Sequence, residues 1–392
     1  MSEQVPYANY QYEIYLRGSM GGQRPARPLD WRRLEQDAYQ LLADGPSGYI
    51  SGGAGRGRTM RANRDAFERW RIVPRMLRDV SQRTLARTVL GNELPAPVLL
   101  APIGVQTLAH AEGELAMARA AAEVGVPFVA STAASHTIEQ IAQAAGELPR
   151  WYQLYWPRSR ELARSFVARA ESAGYSAIVL TLDTWMLGWR PADLTNGFLP
   201  FLWGEGNRNY LEDPIFRGAL PAPPEENMQA AIGHWAWEFS NPAITWEDLA
   251  FLREITELPI VLKGILHADD ARLAIEHGVQ GVIVSNHGGR QVDGAVGALD
   301  ALPEVVAAAD GRCEVLFDSG VRSGADALKA LALGARAVLL GRPYIWGLAL
   351  GGAQGVVEVL RSFLADLDLA MALSGYAAID EVGAGALLAQ PR

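Results

Sequence analysis

The sequence predicts an α/β fold, a (β/α)₈ TIM barrel with an N-terminal extension and a lid-like insertion after the fourth strand. Two observations carry this prediction. Eight short apolar runs recur along the chain, and segments with helical apolar spacing lie between most of them. The runs do not alternate apolar with polar residues, which is typical of strands buried on both faces of a parallel sheet. Eight alternating strand and helix units match a closed barrel.

The predicted strands, in chain order, are Pro97–Ala101, Val126–Ala130, Trp151–Tyr155, Ala177–Leu182, Pro259–Lys263, Gly281–Ser285, Cys313–Phe317 and Ala337–Gly341. The predicted helices between them include Glu112–Glu123, Ser159–Ala173, Asp269–His277 and Ser323–Leu333. A doubly wound sheet is the alternative fold, but it needs a glycine-rich turn after its first strand. The glycine-rich segment Gly52–Gly57 follows no apolar strand, so we interpret it as a flexible turn near the site.

The length of 392 residues allows two or three domains or one large barrel. The barrel prediction favours a single domain over residues 1–392. Residues 1–96 would form an N-terminal cover, residues 97–392 the barrel, and residues 184–245 a lid over the strand ends.

Composition and charge exclude several classes of protein. The formal net charge of -9 argues against binding to nucleic acid or to an anionic membrane. The single cysteine, Cys313, provides neither a disulfide framework nor a cysteine-rich metal site and suits a reducing, cytoplasmic location. Segment Met1–Tyr15 lacks the features of a signal peptide. The uncharged stretch Leu94–Ala111 contains several prolines, which favours a buried strand and loop over a transmembrane helix.

Polar or glycine residues close or follow the predicted strands, where TIM barrels build their active sites. These residues are Gly104, Ser131, Gln153, Tyr155, Thr181, Asp183, Lys263, Ser285, His287, Asp318, Arg322 and Arg342. The spacing of Gln153 and Tyr155 puts both on one face of a strand, although Tyr155 could instead cap the core. The six histidines show no metal-binding spacing, and no metal site is predicted.

The segment Ser285–Arg290 is the most informative. His287 could act as a base beside Arg290, whose guanidinium could grip a carboxylate. The alternative is a loop in which the two residues occur by chance. Asp183 could hold the His287 imidazole in one tautomer, or it could cap the next helix.

Lys263 ends a buried strand, where an ammonium group is costly without an anionic partner. It could be a Schiff-base nucleophile, as in an aldolase, or a fixed charge beside an electron-rich cofactor ring. Segments Asp318–Gly324 and Gly341–Pro343 offer backbone amides and two arginines at the usual phosphate position of a barrel. This favours FMN as the cofactor, with pyridoxal phosphate or a sugar phosphate as alternatives.

The chain resembles the FMN-dependent 2-hydroxy acid oxidising family. The resemblance rests on the motifs Ser285–Gln291, Val261–Gly264, Gln153–Tyr155, Leu180–Thr184, Asp318–Arg322, Leu333–Ala335 and Gly341–Pro343. Within the family it most resembles the lactate 2-monooxygenase members, through Tyr10–Tyr15, Arg61–Asn63, Ala101–Val105 and Thr184–Pro191. The resemblance implies that residues 1–392 form one FMN hydroxy acid dehydrogenase domain, in a homotetramer or octamer.

The resemblance also implies roles for individual residues. His287 would remove a proton from the substrate and Asp183 would stabilise the resulting imidazolium. Lys263 would face the flavin N1 and C2 carbonyl. The substrate-binding residues would be Tyr49, Tyr155, Arg190, His287 and Arg290. The cofactor-binding residues would be Pro102, Gly104, Ser131, Gln153, Thr181, Lys263, Ser285, Asp318, Gly320, Arg322, Gly341 and Arg342.

The reaction implied by the resemblance is oxidation of a small L-2-hydroxy acid. L-Lactate and O₂ would give acetate, CO₂ and water, because Gly104 replaces the alanine of many oxidases. The alternative is an oxidase that releases a 2-keto acid and H₂O₂. Ala133 stands where glycolate-oxidase-like members often carry an aromatic residue, so longer or aromatic substrates are alternatives to lactate. A lyase using Lys263, an FMN-dependent isomerase and a barrel that only binds a ligand are further alternatives.

Overall fold

Eight parallel strands close into a barrel, which confirms the predicted fold. The computed structural model describes residues 6–390, so residues 1–5 and 391–392 of the predicted domain lie outside the described residues. We number the barrel strands β1 (Val98–Leu100), β2 (Phe128–Ser131), β3 (Arg150–Leu154), β4 (Ile178–Thr181), β5 (Ile260–Ile265), β6 (Gly281–Val284), β7 (Glu314–Phe317) and β8 (Val338–Leu340). Their bounds differ from the predicted ones by at most two residues.

The interior of the barrel is filled by one apolar side chain from each strand. These side chains are Leu99, Val129, Trp151, Val179, Val261, Ile283, Leu316 and Leu339. Their neighbours along each strand belong to a second buried cluster, which packs against the surrounding helices. Both faces of every strand are therefore apolar, and this is why the sequence shows continuous runs instead of alternation.

Helices follow the strands around the barrel. They are Gly113–Val124, Ile138–Ala145, Arg160–Ser172, Leu249–Ile255, Ala268–Glu276, Ala298–Ala309, Gly324–Ala332 and Arg342–Leu373, the last of which is interrupted at Gly351 and Gly352. Several begin at side-chain caps, for example Ser159, whose Oγ accepts a hydrogen bond from the Leu162 amide at 3.1 Å. Short 3₁₀ turns lie at Gln106–Leu108, Trp246–Asp248, His287–Gly289, Ile379–Glu381 and Ala384–Ala386.

The segment before β1 wraps around the barrel. It contains helices Asn9–Gly21, Trp31–Leu41, Asp44–Ser51 and Arg58–Glu68, and strand Trp70–Ile72, which pairs with Leu387–Ala389 near the C-terminus. The antiparallel strands Arg87–Val89 and Asn92–Leu94 place Val89 and Leu94 in the interior cluster. The amide of Leu90 donates to the Glu314 carboxylate at the start of β7. This hairpin therefore closes the amino-terminal end of the barrel.

Residues 184–245, between β4 and the next barrel helix, form a largely helical insertion. Its elements are Pro191–Thr195, Pro200–Trp203, Arg208–Leu211, Pro214–Gly218 and Met228–Phe239. Asn209 anchors the insertion, because its side chain accepts from the Ile138 amide at 2.9 Å and donates to the Thr132 carbonyl at 3.0 Å. None of the helices within residues 6–390 combines the length and the apolar character required to cross a membrane.

Candidate active site

Each barrel strand places one residue at the carboxyl end of the barrel, directly above the apolar interior. Side chains alternate between the two faces of a strand, so the residue two positions after an interior one points the same way. The residues at these positions are Ala101, Ser131, Gln153, Thr181, Lys263, Ser285, Asp318 and Gly341. All except Ala101 were predicted to bind the cofactor, and the fold brings them together in one layer.

His287 and Asp183 form a hydrogen-bonded pair at the edge of this layer. The His287 Nδ1 atom lies 2.8 Å from Asp183 Oδ1. The hydroxyl of Thr184 donates to the same carboxylate oxygen at 2.9 Å. Because a carboxylate only accepts, Nδ1 must carry the proton, and Nε2 is then the basic nitrogen of the ring. Asp183 orients the imidazole and does not cap the following helix.

The electrostatic environment of this pair favours a neutral imidazole at His287 and an ionised carboxylate at Asp183. Burial lowers the pKa of His287, and the opposing effect of Asp183 offsets this only in part. Burial raises the pKa of Asp183, but the charges of His287 and Lys263 outweigh that effect and bring it to about 2. At neutral pH the imidazole is therefore neutral and the carboxylate ionised.

Lys263 lies between carboxylates in the same layer. Its Nζ donates to Ser285 Oγ at 2.9 Å and lies 3.2 Å from Asp318 Oδ2 and 3.9 Å from Asp183 Oδ2. Burial lowers the pKa of Lys263, but the two carboxylates prevail and raise it above its ordinary value. A Schiff-base lysine must lose its proton before it attacks. The geometry therefore favours a fixed positive charge over the aldolase-like alternative.

Three arginines at the mouth of the barrel lack an acidic partner. No carboxylate within residues 6–390 pairs with Arg290, Arg322 or Arg342. Arg290 donates from Nη1 to the carbonyls of Tyr49 at 2.6 Å and Gly52 at 2.8 Å. Burial and the neighbouring arginines lower the pKa values of Arg290 and Arg322. Cations in this setting are stabilised by a bound anion.

Arg190 reaches the same mouth from the insertion. Its Nε donates to the Arg290 carbonyl at 3.1 Å, and its Nη2 donates to Gln291 Oε1 at 2.6 Å. The Gln291 amide group donates in turn to the carbonyls of Asp183 and Met186, both at 2.8 Å. Gln291 thus ties the loop that carries His287 to the loop that carries Asp183 and Arg190.

A cleft of about 1080 Å³, partly open to solvent, lies above the layer. The predicted site residues that line it are Tyr49, Pro102, Gly104, Tyr155, Arg190, Lys263, His287, Arg290, Asp318, Gly320, Arg322, Gly341 and Arg342. The predicted residues outside its lining are Ser131, Gln153, Thr181, Asp183 and Ser285. The cleft is thus a concave site lined by both apolar side chains and converging charged groups, as small-molecule sites are.

The FMN-dependent dehydrogenase family model matches residues 38–389 of this chain. The chain belongs to this family. An FMN-dependent alpha-hydroxy acid dehydrogenase of Penicillium citrinum is 45% identical over 374 residues, which cover 95% of this chain and 93% of that protein. An L-lactate oxidase of Lysinibacillus sphaericus is 47% identical over 353 residues, covering 90% and 91% of the two chains. The crystal structure of a mandelate oxidase superposes with a TM-score of 0.82 at 40% identity, covering 93% of this chain and 98% of that one.

The cofactor of this FMN-dependent family member is FMN, and the residues of the site fit it. Among the described residues, Gln153 Nε2, Thr181 Oγ1 and Arg322 Nε are buried without a hydrogen-bond partner. Gln153 and Thr181 lie in the same layer as Lys263, where the carbonyl and ring nitrogen atoms of an isoalloxazine would satisfy them. Arg322 and Arg342 would provide the charge for a phosphate.

The structure gives Arg342 and Gly104 contacts that the sequence did not reveal. The guanidinium of Arg342 donates to three backbone carbonyls, those of Ile50, Gly52 and Gly288. A Cβ atom at Gly104 would lie 2.5 Å from the Ala133 carbonyl oxygen. Close packing against this backbone therefore accounts for a glycine at position 104 without reference to the reaction.

The site also contains residues that sequence reasoning did not assign to it. Thr184 and Gln291 hydrogen-bond to catalytic candidates, and Phe201 and Phe239 of the insertion line the cleft. Thr184 and Gln291 belong to motifs that indicated the family, and those motifs could have identified both as site residues. No local pattern marks Phe201 or Phe239, because the path of the insertion brings them to the cleft.

No group of three or more histidine, cysteine, aspartate or glutamate side chains in the described part of the chain is arranged to hold a metal ion. His136 bonds to Glu114 at 2.9 Å, His267 caps the helix Ala268–Glu276, and His277 stacks on Trp246. These contacts account for the three histidines as structural residues.

Proposed function

We propose that this FMN-dependent 2-hydroxy acid oxidoreductase acts on a small L-2-hydroxy acid, with L-lactate as the leading substrate. The observation that carries the proposal is the juxtaposition of His287, paired with Asp183, and Arg290, a cation without a carboxylate partner in residues 6–390. A 2-hydroxy acid has a carboxylate, which needs a cationic partner. Its carbon 2 carries a hydrogen and a hydroxyl group, and oxidation of this carbon needs a base. Both His287 and Arg290 line the cleft.

The substrate roles follow from this arrangement. Arg290 and Arg190 hold the carboxylate, together with the hydroxyl of Tyr49. Tyr155 lies beside the substrate hydroxyl, and burial raises the pKa of Tyr155, so that it stays a neutral donor. His287 Nε2 takes a proton from the substrate, and Asp183 stabilises the imidazolium that results.

The cofactor roles follow in the same way. FMN, when bound, would supply the acceptor for a hydride equivalent, that is two electrons and one proton, and O₂ would reoxidise it. Lys263 holds a positive charge beside its ring, while Ser131, Gln153, Thr181 and Ser285 bind polar atoms of the ring and ribityl chain. Pro102 and Gly104 pack against the ring. Asp318, Gly320, Arg322, Gly341 and Arg342 bind the ribityl chain and phosphate.

For the products we propose the monooxygenase outcome, in which L-lactate and O₂ give acetate, CO₂ and water. It is supported by the resemblance of Ala101–Val105 and Thr184–Pro191 to the lactate 2-monooxygenase members. The second candidate is an oxidase that yields pyruvate and H₂O₂. Relatives named L-lactate oxidase favour it. Gly104 packs closely against Ala133, which by itself accounts for a glycine there, so Gly104 is weaker support for the monooxygenase outcome.

Two measurements test the proposal. Anaerobic addition of L-lactate to the purified yellow protein should bleach the flavin, and L-lactate should give a higher kcat/KM than glycolate, 2-hydroxybutyrate or mandelate. In air, one acetate should form for each lactate. Pyruvate and H₂O₂ in equal amounts would replace the monooxygenase by the oxidase. A borohydride-trapped substrate adduct on Lys263 would favour a lyase instead.

We also propose that the chain assembles as a homotetramer or octamer, as the family resemblance implies. Light scattering of the purified holoenzyme tests this, and a monomer would contradict it.

A further inference from the structure

The insertion contributes two phenylalanine side chains to the lining of the cleft, Phe201 and Phe239, which we call the aromatic wall. Phe201 and Phe239 line the cleft, and only 3% and 8% of their surfaces are exposed. Ala133 and Leu187 complete this apolar side. Ala133 contributes only a methyl group, whereas each phenylalanine contributes a ring.

The wall is braced from behind by Trp235. Its ring stacks on Phe201 with a centroid distance of 4.9 Å and an interplanar angle of 26°, and it makes a tilted contact with Phe239 at 5.2 Å and 32°. Trp235 and Phe239 lie four residues apart on helix Met228–Phe239, so they share one face. Because all three rings are packed against one another, neither phenylalanine can swing away without opening a gap in this cluster.

The wall touches the residues that hold the polar end of the substrate. The ring of Phe201 meets the ring of Tyr49 edge-on at 6.4 Å, and the ring of Phe239 lies 5.0 Å from that of Tyr155. A 2-hydroxy acid with its carboxylate at Arg290 and its hydroxyl side at His287 has one group left, the substituent on carbon 2. The aromatic wall is the surface left for that substituent.

We propose that Phe201 and Phe239 determine substrate specificity by limiting the size of the substituent on carbon 2. The substrates are then 2-hydroxy acids with short aliphatic side chains, and phenyl-bearing ones are excluded. This inference rests on the proposed function, since it assumes that a 2-hydroxy acid occupies the cleft. It assigns the selectivity to the insertion and not to the barrel.

The test is to remove one ring at a time. Deleting a phenylalanine side chain from a braced apolar wall leaves a space of about the size of a benzene ring, the kind of cavity that binds aromatic molecules. Phe201→Ala and Phe239→Ala should therefore each raise the ratio of kcat/KM for mandelate to kcat/KM for L-lactate by about tenfold or more. Phe201→Leu and Phe239→Leu, which disturb the fold less, should raise this ratio by a smaller factor.

Two controls match these variants. Leu202 is the neighbour of Phe201, and Trp237 lies on the same helix as Phe239, yet both are mostly exposed and neither lines the cleft. Leu202→Ala and Trp237→Ala should leave the ratio unchanged. A second readout is independent of turnover: the flavin absorbance change on binding should report tighter binding of benzoylformate, relative to pyruvate, in the ring-deleted variants.

The possible results separate the two proposals. If the parent protein is not bleached by any 2-hydroxy acid, the proposed function fails. If it is bleached, and the folded, FMN-loaded alanine variants keep the parent selectivity in both readouts, the aromatic wall does not determine specificity. A parent enzyme that already prefers mandelate to lactate would also overturn the inference.

Discussion

Replacing Asp183 by asparagine removes one negative charge from the site and leaves the shape of the side chain almost unchanged. In the parent protein the carboxylate lies 2.8 Å from His287 Nδ1, accepts from Thr184 Oγ1 at 2.9 Å and lies 3.9 Å from Lys263 Nζ. If His287 is the base, its imidazolium forms only as the substrate proton is transferred. The substitution should therefore mainly raise the free energy of the transition state.

The size of the effect follows from the burial of the pair. Removing one partner of a buried, hydrogen-bonded ion pair costs about 3–5 kcal/mol. At about 1.4 kcal/mol per factor of ten, Asp183→Asn should slow flavin reduction by about 10²- to 10⁴-fold. The pKa of His287 should also fall further, because Asp183 is the group that raises it against the effect of burial. A base works in its deprotonated form, so the acid limb of the pH profile should move to lower pH.

Anaerobic stopped-flow reduction of the FMN by saturating L-lactate, measured across pH, gives both quantities. Asp368→Asn is a matched control, because Asp368 is also buried and paired, with Arg83 at 2.8 Å, but it bonds to Arg83 and the Ala8 amide and not to His287. That variant should lose stability without losing the rate of reduction. An Asp183→Asn rate within about threefold of the parent, or an acid limb that moves to higher pH, would refute the assignment of the pair.

Three further predictions concern neighbouring residues. Lys263→Met leaves two carboxylates without their cation, so the free energy of unfolding should fall by about 3–5 kcal/mol and FMN should bind more weakly, as measured by thermal unfolding and flavin titration. Gly104→Ala places a methyl group against the Ala133 carbonyl, so the free energy of unfolding, measured by thermal unfolding, should fall by about 1–3 kcal/mol. If Gly104 also governs the products, the acetate-to-pyruvate ratio should fall. Gln291→Glu keeps the acceptor for Arg190 but loses both donated hydrogen bonds, so KM for lactate should rise several-fold while FMN content, read from the absorbance spectrum, stays at the parent level.

The sequence predicted the barrel and much of the site because one periodicity governs both. A strand buried on both faces appears as a continuous apolar run, and the end of the run marks the end of the strand. The period of two then identifies the residue that projects from the barrel mouth, such as Gln153 two positions after Trp151, or Lys263 two positions after Val261. Local pattern therefore sufficed for the layer of residues at the strand ends.

Other parts of the site depend on contacts between distant segments. Gln291 bonds to Arg190 across 101 positions of the chain, and no spacing rule predicts that partner. The insertion is a series of short helices, and the approach of Phe201 to Trp235 results from how they pack on one another. A local sequence pattern identifies residues of this kind as apolar or polar but cannot show what they face.

The unpaired arginines suggest that the site is built at some expense to the stability of the fold. Arg290 keeps its charge beside other cations and donates only to neutral carbonyls, so it interacts most favourably when an anion is bound. Arg290→Met should therefore raise the melting temperature of the FMN-loaded, substrate-free enzyme. In the parent, oxalate should raise the melting temperature by binding the native state, and the variant should lose this response. A variant that melts lower than the parent and still responds to oxalate would show that Arg290 is a structural residue. A higher melting temperature for Arg290→Met, with the response to oxalate lost, would explain how a chain with a net charge of -9 binds an anionic substrate: Arg290 has no carboxylate partner within residues 6–390 to displace.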